Sequence, residues 1–147
     1  PLRRIRAEMF PDIERFHNAY FTKSPRTPGW LGAFVADADR SPRGFIATND
    51  GRAVGLIIGR TISDDPGIFS LVSILVHPKY RGTGLSGTLM KRFLLSVHRI
   101  HGIRKIRLHF RESNRLERFY ARYGFGLLGS DGTYSDGEPR MLMEFIL

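Results

Sequence analysis

Residues 80–88 read YRGTGLSGT. Gly82, Gly84 and Gly87 have the G-x-G-x-x-G spacing that brings backbone amides against a phosphate. Before them runs an apolar segment, IFSLVSILV (68–76). After them Leu85, Leu89, Phe93 and Val97 recur at i, i+4, a helix of about four turns. A strand that enters a helix through glycines leaves the first helical N–H groups unpaired, and the helix dipole favours an anion there. The stretch therefore predicts a mixed α/β fold with a phosphate-bearing ligand at a strand-to-helix junction.

The spacing alone does not name that ligand. In a dinucleotide-binding unit the fingerprint follows the first strand, and an acidic residue about 20 positions on holds the ribose. Here several strands precede the loop, and the first acid after it is Glu112. Too little chain remains for a second nucleotide-binding half. A P-loop fails as well, because Thr88 stands where its lysine belongs. Arg81 does fit: a fixed guanidinium beside the ring of amides suits a diphosphate.

Working outward, LRRIR (2–6) reads as an edge strand, and DIERFHNAYF (12–21) carries a helical stripe of Ile13, Phe16 and Tyr20. FTKSPRTPGW (21–30) is turn-rich, and LGAFVADAD (31–39) is a short helix or loop. GFIAT and AVGLIIGR flank Asp50-Gly51 as a β-hairpin. The run 68–76 is apolar enough to be buried on both faces. Gly102 is expected to stop the helix after the glycine loop. IRKIRLHF (103–110) alternates, with Ile106, Leu108 and Phe110 on one face and Lys105, Arg107, His109 and Arg111 on the other. NRLERFYARY is a second helix ended by Gly124, and GLLGS and RMLMEFIL are two closing strands.

The 147 residues fit one domain, 1–147, and since they start at Pro1 a fragment of a longer chain stays open. They contain no cysteine, which removes disulfides, thiolate nucleophiles and Cys-ligated zinc; no metal site is expected. No apolar run reaches the roughly 18 residues of a membrane span, and no signal segment opens the chain, so a cytoplasmic protein with no membrane partner is expected. The net charge is +9, and from Lys79 to Arg111 there are nine Lys or Arg and no acid. Such a field concentrates anionic ligands. Nucleic acid is not expected as partner, because no recognised motif or interleaved aromatic platform accompanies the charge.

The stretch V-H-P-K-Y-R-G-T-G-L-S (76–86) resembles the acetyl-CoA signature R/Q-x-x-G-x-G/A of the GNAT superfamily of N-acetyltransferases. Arg81 and Gly84 match, while Ser86 replaces the final glycine or alanine. Downstream, N-R-L-E-R-F-Y-A-R-Y-G-F (114–125) resembles the family's second motif at Asn114, Phe119, Tyr120, Gly124 and Phe125, with Glu117 where alanine is usual. The resemblance covers residues 68–147. It implies a mixed, mostly antiparallel central sheet with a splayed parallel strand pair and helices on both faces.

It also implies roles. Pantetheine of the cosubstrate acetyl-CoA would pair with backbone at Ile74, Leu75 and Val76, a form of β-augmentation. The diphosphate would take amides from Gly82, Thr83, Gly84, Leu85, Ser86 and Gly87, with Arg81 close by. Asn114 would hold the pantetheine from the opposite wall, or cap the last helix. Direct transfer to an amine needs a base, an oxyanion donor and an acid for the leaving thiolate. Tyr120 matches the family's acid, and a backbone N–H of the central strand is the expected oxyanion donor.

The base is less determined. Many members carry a Glu on the central strand; here Val72 and Ser73 stand there. In members that acetylate ribosomal-protein N-termini, the strand before the last motif reads like L-E-V-R-x-S-N, and its Glu is the base. This chain reads L-H-F-R-E-S-N (108–114), which puts His109 at that position, flanked by the cations Arg107 and Arg111. Imidazole is a competent base near neutrality. Glu112 and a water relay are the alternatives. Trp30, Tyr134, Asp64 and Asp65 are candidates to line the acceptor pocket. The acceptor is expected to be a small-molecule or peptide amine, neutral or anionic, because a cationic chain repels polycations. Oligomeric state is open. The competing expectation is a catalytically weak GNAT-like domain that binds acyl-CoA for sensing or docking.

Overall fold

A computed structural model describes residues 2–20, 43–62 and 64–147. Seven strands form one sheet in the order β1-β2-β3-β4-β5-β7-β6. They are β1 (Leu2–Arg4), β2 (Arg43–Asn49), β3 (Arg52–Ile62), β4 (Asp65–Val76), β5 (Lys105–Arg111), β6 (Gly126–Thr133) and β7 (Pro139–Ile146). The described helices are α1 (Phe10–Tyr20), α2 (Leu85–His98) and α3 (Glu117–Ala121). None is long and apolar enough to cross a membrane.

The hairpin turns where the sequence places it. Asp50 and Gly51 have φ of 51° and 75°, the paired left-handed residues of a tight hairpin turn. Every neighbouring strand pair is antiparallel except β4–β5. That parallel pair stays in register only at Ile68–Lys105, Phe69–Ile106 and Ser70–Arg107. Beyond Ser70 the two strands part, and the sheet opens into a V. At the point of parting β4 carries a bulge. Ser73 lies opposite Ile58, but Leu71 lies opposite Gly59, so Val72 is the extra residue.

Both faces of the sheet are covered. Leu89, Met90, Phe93 and Val97 of α2 are buried against Phe69, Leu71, Ile106 and Leu108, at the spacing of one helical stripe. Tyr120 of α3 and Phe125 join the same core. On the other face Ile13 and Phe16 of α1 pack with Ile46, Leu56, Ile58 and Leu75. Alternation along β5 follows: Ile106, Leu108 and Phe110 face the larger core, which turns Lys105, Arg107, His109 and Arg111 to the α1 side.

Two expected boundaries move. The helix after the glycine loop ends at His98, and Gly102 (φ 87°) lies in the turn that follows. The last helix is short, because its chain first passes through a 3-10 turn at Glu112–Asn114. Gly124 (φ 104°) does end it: Gly124 N–H donates to Ala121 O at 3.0 Å and Phe125 N–H to Tyr120 O at 3.3 Å, a Schellman pair. The stretches 21–30 and 31–39, with Trp30, lie outside the described residues apart from their neighbours at the ends of α1 and β2.

Candidate functional site

A cavity of about 590 Å³ occupies the V between β4 and β5. Its walls bring together residues that are distant in sequence. From β4 come Leu71 to Val76; from the glycine loop and α2 come Arg81, Gly82, Leu85 and Ser86. The opposite wall holds His109, Phe110, Arg111, Asn114, Phe119, Tyr120 and Tyr134. Thr83, Gly84 and Gly87 do not touch this cavity; they shape the loop beside it.

The hydrogen-bond phase of β4 decides which main-chain groups are available. His77 N–H donates to Val54 O at 2.8 Å, and residues 77 and 54 stand opposite in register. Antiparallel pairs alternate between bonded and unbonded. Leu75 and Ser73 therefore spend their groups on β3, whereas Ile74 and Val76 turn theirs towards the V. Leu75 is expected to serve alongside Ile74 and Val76; in this register its main chain faces Leu56, and it lines the cavity.

The loop geometry explains its glycines. Gly82 (φ 79°) and Gly84 (φ 84°) are left-handed, and open space surrounds the position a Cβ would take at each. Gly84 caps α2 without a side-chain bond, which leaves the first-turn amides uncovered. Gly87 is set by packing instead, since a Cβ there would lie 3.0 Å from Tyr123 Oη. Ser86, the departure from the acetyl-CoA signature, sits in the first turn of α2 and lines the cavity. Asn114 ends the 3-10 turn, and the residue that caps α3 is Leu116, so Asn114 is not the helix cap.

Tyr120 is buried, with its ring against Phe119 (5.1 Å), Phe125 (5.9 Å) and Phe110 (6.1 Å). That burial pushes its phenol well above the ordinary value of 10.0, so the proton stays on. His109 reaches the same cavity from β5, and its Nε2 lies 2.8 Å from Asp131 Oδ2. The hydrogen bond to His109 holds the Asp131 carboxyl below its usual range.

The surroundings of His109 differ from the cationic environment expected. Each basic group of that strand face meets a carboxylate from the β6–β7 hairpin. Glu144 accepts from Lys105 Nζ (3.2 Å) and from Arg107 Nε (3.0 Å) and Nη2 (2.9 Å). Arg111 Nη1 donates to Asp136 (2.7 Å) and Glu138 (3.1 Å), and its guanidinium lies over the Tyr134 ring at 4.3 Å. These acids stand 22 to 39 positions away in sequence, which is why local composition missed them.

Other expectations separate as well. Tyr134 lines the cavity, but Asp64 and Asp65 do not. Asp65 lies at the closed end of the V, where Arg104 Nη2 donates to it at 2.5 Å and Gly67 N–H at 3.0 Å. Glu112 lines a separate depression of about 500 Å³ on the far side of the 3-10 turn, apart from His109 and Tyr120. The sequence marks one cavity residue only as standing where many family members carry a Glu. Ser73 is buried beside the bulge, and its Oγ has no hydrogen-bond partner among the described residues.

Comparisons with known proteins agree with this architecture. Residues 4–125 match the acetyltransferase (GNAT) family. An uncharacterised N-acetyltransferase of Methanocaldococcus jannaschii is 37% identical over 103 residues, which is 67% of this chain and 63% of that protein; the match spans just under two thirds of the relative's length. Among solved structures, Ard1 from Thermoplasma volcanium superposes with a TM-score of 0.81 at 23% identity, covering 100% of this chain and 97% of that one. The ribosomal-protein-S18-alanine N-acetyltransferase from Escherichia coli gives 0.77 at 17% identity, over 99% and 92% of the two chains.

Proposed function

The chain belongs to the acetyltransferase (GNAT) family, and on that premise we propose that it moves an acetyl group from acetyl-CoA to a primary amine by direct transfer, with His109 as base and Tyr120 as acid. The observation that carries this is the cavity in the V, which has strand backbone, a glycine-capped helix start, His109 and Tyr120 on its walls.

The donor set fits the cosubstrate. Ile74 and Val76 present unpaired main-chain donors and acceptors, which suit the amides of a pantetheine arm. Arg81 and the amides after Gly82 suit a diphosphate. Asn114 faces them from the other wall. Acetyl-CoA supplies an activated thioester; the protein supplies position and proton traffic. His109 takes a proton from the incoming ammonium, the freed amine forms the C–N bond, and the nitrogen then gives its second proton to solvent. A main-chain N–H of β4 facing the V stabilises charge on the acyl oxygen. Tyr120 donates its hydrogen bond to the sulfur as the C–S bond breaks. These 147 residues hold no cysteine to carry the acetyl group in between.

We favour a peptide α-amine as acceptor. The paired carboxylates on the α1-side face remove the bar to a cationic amine, and the structural neighbour from Escherichia coli is named as an N-acetyltransferase of an alanine of ribosomal protein S18. The test is thiol release from acetyl-CoA across small amines and short peptides, with Tyr120→Phe and His109→Ala beside wild type. Amine-dependent release that falls in both variants is the expected result. If acetyl-CoA raises the melting temperature but no amine raises thiol release, the chain is an acyl-CoA-binding domain and the enzymatic assignment fails.

A further inference from the structure

Asp131 sits in the irregular part of β6, where the register with β7 shifts between Ser130 and Thr133. Gly132 (φ 76°) allows the local curl. β7 lies between β6 and β5, so a side chain from β6 must cross about 10 Å to meet one from β5. His109 and Gly129 both stand opposite Leu142, which brings the two outer strands into line over it. Asp131 completes the crossing, and its Oδ2 meets His109 Nε2 at 2.8 Å. Arg140 fixes it from β7. Its Nε donates to the Asp131 carbonyl at 2.9 Å, and its Nη2 lies 3.4 Å from the carboxylate.

A carboxylate has no proton to give, so the nitrogen it meets carries the hydrogen. The contact therefore puts a hydrogen on Nε2, donated to Asp131, and in the neutral ring Nδ1 carries the lone pair. Resting on His109 as the base, we propose that Asp131 is its positioning residue, holding the imidazole so that Nδ1 receives the acceptor's proton. Two N–H bonds of the ammonium break: one proton goes to Nδ1 before attack, and the second leaves the nitrogen for solvent once the C–N bond has formed. The amine lone pair makes the new C–N bond, the C–S pair leaves on sulfur, and the Tyr120 hydroxyl protonates it. Tyr120 is then restored by the imidazolium proton through solvent. The imidazolium formed on the way faces the Asp131 charge. Arg107 and Arg111 flank it on β5 but are matched by Glu144, Asp136 and Glu138, and Arg140 is spent on Asp131. Tyr134 from the hairpin, Ser73 from β4 and Tyr120 from α3 are among the polar groups that share the cavity.

The test is a double-mutant cycle on His109 and Asp131, read as kcat, acetyl-CoA affinity and melting temperature, with NMR of the 15N-labelled ring. Asp131→Asn and Asp131→Ala are expected to lower kcat about 10- to 100-fold with acetyl-CoA affinity unchanged. Asp131→Ala is expected to cost nothing further in a His109→Ala background. In wild type the Nε2–H signal of the neutral ring is expected to be protected from exchange, and in Asp131→Ala it is lost. Wild-type kcat in Asp131→Asn, beside an impaired His109→Ala, overturns the positioning role while leaving His109 as base. A kcat loss that persists in the His109→Ala background, or tracks a lower melting temperature, assigns Asp131 a structural role and overturns it too. Wild-type kcat in His109→Ala removes the base itself.

Discussion

Tyr120→Phe separates chemistry from packing at one atom. The ring rests on Phe110, Phe119 and Phe125, and none of those contacts needs the hydroxyl. Stability is therefore expected to change by no more than about 1 kcal/mol. The catalytic cost is larger. A hydrogen bond to a charged partner contributes about 1.5–3 kcal/mol, and each 1.4 kcal/mol is about tenfold in rate. The expected fall in kcat is thus about 10- to 150-fold. It is not larger because a thiolate, with a pKa of about 8.5, leaves well even without help. Burial raises the Tyr120 phenol above 10.0, so handing its proton to that thiolate runs uphill. Most of the benefit is then the hydrogen bond held during C–S cleavage, and full transfer follows once solvent or the imidazolium supplies a proton. The assay is thiol release at saturating amine, with the KM for acetyl-CoA measured alongside. A kcat within twofold of wild type, in a variant that melts normally, would refute the assignment. So would a loss confined to KM, since that belongs to binding.

Three further outcomes follow from particular contacts. Glu144→Gln removes the carboxylate that holds both Lys105 and Arg107; the site is between an exposed and a buried pair, and a loss of about 1–3 kcal/mol is expected by denaturant titration. Burial pushes the Glu144 carboxyl up, but the hydrogen bonds from Arg107 and Lys105 outweigh it and leave it below its ordinary value of 4.5. Its contribution is accordingly full above that value and is lost as pH falls through the lower folded one, so wild type should lose stability below pH 4.5 more steeply than Glu144→Gln; parallel acid titrations of both test the sign. Gly59→Ala places a Cβ 2.4 Å from Ser70 O and 2.8 Å from Phe69 and Phe93, so a destabilisation of about 2 kcal/mol or more is expected, and an unchanged denaturation midpoint would contradict the packing. Ser73→Ala deletes a buried hydroxyl that lacks a partner and is expected to raise stability by about 1 kcal/mol; a fall in melting temperature would show that the hydroxyl is satisfied.

Local signals carried much of the fold. Asp50-Gly51 marked the hairpin, the row Leu85 to Val97 marked α2, and Arg81 with the glycines marked the junction before it. Gly124 ended α3 as its position suggested. What stayed hidden depends on pairing between distant segments. Nothing in S-L-V-S announces that Val72 is extra against β3, because a bulge is a property of two strands. The insertion of β7 between β5 and β6 is equally silent, and it is this insertion that carries Asp131, Asp136, Glu138 and Glu144 over the basic face of β5. The hydrogen-bond phase that separates Leu75 from Ile74 and Val76 also needs a partner strand to define it.

That insertion changes what the net charge of +9 means. Summed along the sequence, the basic tract suggests one cationic surface that would repel any protonated acceptor. In the fold the tract divides. Its β5 members are each matched by a carboxylate, and their side of the sheet is close to neutral. Lys79 and Arg81, beside the glycine loop, are exposed and form no ion pair among the described residues. These two cations add an uncompensated positive field at the wall where a diphosphate would lie, where attraction to an anion is useful. On the reading proposed above, an ammonium acceptor would meet the other wall, where the paired charges would neither repel nor trap it. A chain with this net charge is thus compatible with the cationic amine proposed as acceptor, because the basic groups of β5 are already paired.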